Sequence, residues 1–205
     1  MNLNLAKFNS LVLTYYCRMK RYMIYLENVS YKPKDAQSLL SRAREMVSDK
    51  TVIIRDTRVS KRFIEYDISI PENKNVEEIT RNLLSIAPLL ECEYISDKKL
   101  EKDDAIKHAR NLFNNEKYWG AHEVLESVWK NSHGNEKTLL NALILISAAF
   151  VHDEKNESEI CISILKRAMM KLEKANGYYF GIKLDEIKKR ISEIVKTGNI
   201  EHFII

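Results

Sequence analysis

Thr51–Ile70 reads TVIIRDTRVSKRFIEYDISI, two apolar–polar alternations on either side of a short polar turn, and a period of two marks a pair of adjacent strands. The flanking segments have another period. Upstream, PKDAQSLLSRAREMV repeats its apolar residues at helical spacing behind a proline start. Downstream, NVEEITRNLLSIA does the same behind Asn75, a good N-cap with Glu78 three residues on. Outside these helices lie two more alternating runs, RYMIYLEN and LECEYIS. The order strand, helix, strand, strand, helix, strand is the split βαβ arrangement of an α+β, ferredoxin-like domain, whose single sheet carries both helices on one face.

Beyond Ser96 the helical period takes over. It fills AIKHARNLFN, YWGAHEVLESVWK, EKTLLNALILISAAFVH, ESEICISILKRAMMKLEKA and LDEIKKRISEIV, with the links NNEK, SHGN, DEKN and ANGYYFG between them. Short links between helices build an antiparallel, all-α helical bundle. The charged stretch SDKKLEKDD, Ser96 to Asp104, is the natural joint. The expected organisation is an N-terminal arm over 1–20, a ferredoxin-like domain over 21–97 and a helical bundle over 98–205. The apolar stretch in the arm is too short for a membrane span and poorly shaped for a signal peptide. Leu139 to Val151 is interrupted by Asn141 and Ser147 and reads as a buried core helix.

A hydrophobic fraction of 45% in 205 residues suits a normal core, and 33 basic against 29 acidic residues leave a formal charge of +4 with the two signs interleaved. Composition therefore does not call for nucleic acid or membrane. Cys17, Cys92 and Cys161 lie far apart, which supports neither a disulfide framework nor a cysteine zinc site and fits a reducing cytoplasm. With 5 glycines, no phosphate-binding loop of the GxGxxG or GxxxxGK[ST] type occurs, and there is no GxSxG elbow.

Ferredoxin-like sheets often bind RNA on the face their helices leave open, using aromatics on the first and third strands. Tyr25 and Phe63 are such a pair by alternation. The same alternation puts Glu27, Glu65, Asp67, Glu91 and Glu93 beside them, with Arg55 the main opposing charge, and an acidic face repels a phosphate backbone. The expectation is an ordinary solvated scaffold face, with dimerisation, domain docking or a small ligand ahead of nucleic acid among its uses. Homo-oligomerisation stays open.

The bundle carries the chemistry-bearing pattern. In AHEVLESVWK, offsets of four and seven residues place His122, Glu126 and Trp129 within about 60° of one another on one helix face. A solvated face seldom spends a Trp, and a core stripe seldom spends a His and a Glu, so the combination points to an inward polar site walled by apolar surface. A His and a Glu one turn apart are a common way for one helix to supply two ligands to zinc or a related divalent transition metal. Glu123 is rotated by about 100°, which suits it to proton transfer better than to ligation. Antiparallel neighbours bring Asn141 level with Glu126 and Asn111 level with His122, and make His108 a geometric candidate donor. His152 sits some seven residues further along, a weaker one. Trp119 and Trp129 are candidate walls for a small ligand, although Tyr118 and Trp119 also read as a staple at the helix start, and Tyr178, Tyr179 and Phe180 as a cap on the bundle. Three readings stay open: a structural hydrogen-bond network, a metal site, and metal-free acid–base or ligand binding.

LFNNEKYWGAHEVLESVWK followed by LLNALILISAAFVH resembles a prokaryotic family catalogued as domain of unknown function number 309, whose hallmark is His-x-x-x-Glu-x-x-Trp. His122, Glu126 and Trp129 match it. The similarity runs from about Ala105 to Ala175 and takes in the aromatic pair before the motif and the polar-interrupted apolar helix after it. The position of Asn141 often carries Gln in the family, and Gly is common where Glu116 or Lys117 stands here. The resemblance implies a small all-helical bundle and, from a label sometimes attached to the family, a metal-dependent hydrolase. Taken with the helix and hairpin geometry above, His122 and Glu126, with His108 and His152 as further donors, are the expected metal ligands, Glu123 or Glu126 the catalytic carboxylate, and Trp119, Trp129 and Asn141 the ligand-binding surroundings. The alternative is a non-catalytic binding or assembly module.

Overall fold

The structure, a computed structural model, describes residues 18–96 and 100–205. The expected arm over 1–20 and Cys17 therefore fall almost wholly outside the described residues. Among these, contacts divide the chain into a first unit of residues 18–30, 37–57 and 63–96 and a second of residues 31–36, 58–62 and 100–205.

In the first unit β1 (Met19–Glu27) leads through a proline-started turn into α1 (Ala36–Met46), where Asp35 Oδ2 accepts from Lys32 N–H at 2.8 Å. β2 (Ile53–Val59) and β3 (Phe63–Pro71) follow, then α2 (Val76–Leu83) and β4 (Leu89–Ile95). Asn75 caps α2 as its side-chain type demands, its Oδ1 accepting from Glu77 N–H at 2.9 Å. The sheet order is β2-β3-β1-β4, with β1 antiparallel to both neighbours. Each strand–helix–strand unit thus spans one intervening strand, which is what splits the βαβ motif. Ile24, Leu26, Ile64, Tyr66 and Ile68 are buried with Leu39 and Ala43 of α1 and Ile79 and Leu83 of α2. The Tyr66 hydroxyl donates to Leu39 O at 3.4 Å, and Arg44 clamps Ile54 O through Nε at 3.1 Å and Nη2 at 2.8 Å.

The opposite face corrects the expectation of a solvated surface. The alternation is right, since Met23 faces Asp67 and Tyr25 faces Glu65 in register. Its centre is nevertheless buried, with Tyr25 2%, Phe63 5%, Glu65 2% and Asp67 3% exposed. Arg21 makes the burial of Asp67 tolerable: its Nε donates to Asp67 Oδ1 at 2.8 Å and its Nη2 to Asp67 Oδ2 at 2.6 Å. Arg55 Nε donates to Ser69 Oγ at 2.7 Å. The two aromatic rings meet edge to face, centroids 4.9 Å apart, and so pack on each other.

The second unit contains α3 (Lys102–Asn114), α4 (Tyr118–Trp129), α5 (Gly134–Asp153), α6 (Ser158–Leu172) and α7 (Leu184–Thr197). α4 packs on α3 and α5, α5 on α6, and α6 on α7. α5 is apolar almost all round, with Leu139, Leu140, Leu143, Ile146, Ala149 and Phe150 all buried, as befits a central helix. Phe113, Tyr118, Phe150 and Phe203 form one aromatic cluster with neighbouring centroids 4.9–5.3 Å apart along the chain Phe113–Tyr118–Phe150–Phe203. The ANGYYFG link is more than a cap: β5 (Tyr178–Tyr179) and β6 (Ile182–Lys183) form a miniature hairpin that periodicity over so few residues does not reveal. Its turn needs Gly181, whose φ of +80° strains any side chain, and a Cβ there would also lie 2.6 Å from an Arg110 guanidinium nitrogen. No helix among the described residues is long and apolar enough to cross a membrane.

Candidate functional site

The site is a consequence of how α4 divides its circumference. Tyr118, Ala121, Leu125 and Val128 are buried and form the stripe that enters the core. Gly120 faces α3, where a Cβ would meet Leu112 Cδ1 at 3.4 Å, an ordinary van der Waals contact. His122, one residue past Ala121, therefore lands on the seam between core and solvent, half-buried, and Glu126 lies one turn further along the same edge with 39% of its side chain exposed. The stripe is a rim, which corrects the expectation of an inward-facing site.

One imidazole nitrogen of His122 and one carboxylate oxygen from each of Glu123 and Glu126 lie within 4.8 Å of one another. Glu123 is thus part of the group despite its rotation of about 100°, because a long flexible side chain on an exposed position swings back over the helix. His122 Nδ1 is buried and has no hydrogen-bond partner among the described residues. Such an atom costs about 1–3 kcal/mol unless something satisfies it. Donors around a tetrahedral zinc ion stand about 3.3 Å apart, given bonds of about 2.0–2.1 Å, so small side-chain rotations close the group on an ion.

The other expected residues are placed as follows. Asn141 is half-buried, and among the described residues no hydrogen bond joins His122, Glu126 and Asn141. His108 is exposed on α3. His152 Nδ1 sits 2.5 Å from Glu157 Oε2, a partner five residues along its own chain. Asn111 Oδ1 accepts from Asn115 Nδ2 at 2.6 Å. Trp129 is half-buried with Lys137 Nζ 4.6 Å from its ring centroid, and Trp119 lies under the guanidinium of Arg58 at 5.7 Å.

The motif and the helices that present it have a counterpart. Residues 106–164 match the family described as Domain of unknown function (DUF309). The matched segment runs from α3 into α6 and contains His122, Glu123, Glu126, Trp129 and Asn141. The crystal structure of a conserved hypothetical protein from Thermus thermophilus aligns with 44% of this chain and 95% of its own at 23% identity and a TM-score of 0.39. No curated protein matches the chain.

A second polar constellation was not legible in the sequence. His202 Nε2 and Asp153 Oδ2 are 2.8 Å apart, and the His202 ring packs on Phe150 at 4.5 Å and Tyr118 at 5.2 Å. The partners are 49 residues apart, with no local pattern linking them. An open groove of about 880 Å³ runs past His202, Arg110, Phe113, Lys189 and Arg190, and none of the α4 donors lines it. Cys161, buried on α6, has its thiol pushed up to about 12 by desolvation, with Asp153 adding to the shift, so it stays protonated and unreactive at neutral pH.

Proposed function

We propose that the His122–Glu123–Glu126 rim of α4 binds a divalent transition metal and supports hydrolysis of a small substrate. The single observation that carries this reading is the buried, unpartnered His122 Nδ1 with two carboxylates gathered beside the same side chain. A polar atom in that state calls for an ion or a water. When bound, the ion supplies Lewis acidity and lowers the pKa of a coordinated water towards neutrality. His122 and Glu126 are the donors fixed by the seam, one turn apart and half-buried. Glu123, the more exposed carboxylate, is free to accept the proton of the attacking water and pass it to solvent. Trp129 and Trp119 wall the two ends of the rim.

The rival reading, a non-catalytic module whose polar cluster only holds the bundle in register, requires the cluster to be bonded within itself. The lack of bonds among His122, Glu126 and Asn141 counts against it. Metal analysis of full-length, untagged protein tests the choice. Near-stoichiometric metal that disappears in His122→Ala is the expected result, and metal-free wild-type protein that also fails to take up zinc or manganese overturns the reading.

A further inference from the structure

Two lysines stand at the Trp129 end of this helix edge, one beside Glu126 and one on the indole, and among the described residues neither spends its charge on a hydrogen bond. Lys130 follows Glu126 by one turn; its Nζ is 3.8 Å from Glu126 Oε2, beyond hydrogen-bonding reach, and 63% of the side chain is exposed. Lys137 comes from the start of α5 and rests its ammonium on the Trp129 ring at 4.6 Å from the centroid. Two helices therefore deliver two cations to the C-terminal end of the rim. The opposite end is closed differently, because Arg58 above Trp119 is 2% exposed and out of reach of a ligand.

The charge balance shows what this end is suited to. The carboxylates of Glu123 and Glu126 cancel the ammonium groups of Lys130 and Lys137, so the rim without an ion has little net attraction for an anion. A divalent ion on the donors would leave a net charge of plus two at the end of the rim that carries the two ammonium groups and the indole wall. From this we infer that the substrate carries an oxyanion, a phosphate or carboxylate group, held by Lys130 and Lys137 next to the reacting bond. Lys137 leaves the Trp129 face to meet it, a cheap exchange because a cation–π contact open to solvent is weak. The inference rests on the metal reading above and names the substrate class for that same site.

Calorimetric titration of the full-length chain with inorganic phosphate, and separately with acetate, in the presence and absence of Mn²⁺, tests it. At least one oxyanion should bind, and Mn²⁺ should tighten it by about tenfold or more, within the usual range of coupling between linked sites. Lys130→Gln combined with Lys137→Gln should weaken the oxyanion by about tenfold or more while leaving Mn²⁺ affinity equal or higher, since a repelling charge beside Glu126 has gone. The phosphate and acetate arms decide which oxyanion the site prefers. Bound Mn²⁺ with no binding of either oxyanion, or unchanged binding in the double variant, overturns this inference and leaves the metal reading standing. Failure of Mn²⁺ itself to bind overturns both.

Discussion

Two regions of this molecule set carboxylates beside aromatic rings, and they treat them in opposite ways. On the sheet, Asp67 is buried on the face that also carries Tyr25 and Phe63, and Arg21 grips both its oxygens at 2.8 and 2.6 Å. On α4, Glu126 and Glu123 lie beside His122 and between Trp119 and Trp129, with a histidine nitrogen buried and unanswered among the described residues. Satisfied charge in an apolar layer is the mark of structure, since a buried ion pair must be complete to be tolerated at all. A buried histidine nitrogen left unanswered beside solvent-facing carboxylates is the mark of a site that expects something from outside.

The largest test of that contrast is Arg21→Ala. It strands a buried Asp67 carboxylate, and we expect a loss of about 3 kcal/mol in chemical denaturation followed by circular dichroism, at the lower end of the usual cost because Arg21 is itself partly exposed. Adding Asp67→Asn to that variant should recover part of the loss, a coupling that a double-mutant cycle reads directly. Recovery of nothing would mean the pair is not what holds this face. For α4 the expectation is reversed: His122→Ala should abolish metal uptake yet shift stability by no more than about 1 kcal/mol, because the orphaned nitrogen is already a cost in the folded state. A destabilisation of about 3 kcal/mol or more would move His122 into the structural class with Asp67.

The smallest effect concerns Glu136, which sits in the second unit and behaves like the sheet pair at the surface. Lys102 Nζ donates to it at 2.7 Å and the Tyr179 hydroxyl at 3.0 Å, and chiefly the lysine contact holds its carboxyl below the ordinary 4.5. A depressed carboxylate contributes stability above its unfolded pKa and loses it as pH falls through the folded value. Glu136→Gln should therefore be slightly less stable than wild type at pH 7, the two converging as the pH falls from the ordinary 4.5 through the lower folded value. Equal stability at every pH would show that the contact is fully screened by solvent.

The α+β domain and the bundle were both legible because each rests on periodicity over long stretches, two in the strands and near 3.6 in the helices. α5 was readable as central from its all-round apolar surface alone. The β5–β6 hairpin was not, since four residues carry no period, and its turn depends on the positive φ of Gly181 beneath the passing Arg110. Alternation also assigned the sheet residues to their faces correctly. What it missed was Arg21, by sequence no more than the start of a strand and in the structure the countercharge of the buried Asp67.

At the candidate site, helix geometry alone put His122, Glu126 and Trp129 on one edge, because side-chain direction in a helix is a local property. It underrated Glu123, whose backbone direction was known but whose reach was not. Which edge of α4 meets the core, and whether His122 Nδ1 finds a partner there, depends on how the apolar stripe from Tyr118 to Val128 seats against its neighbours. Direction along a chain is set by bonds between neighbours, so sequence determines it. Burial and satisfaction are set by groups that arrive from distant parts of the chain, and only the tertiary structure decides those.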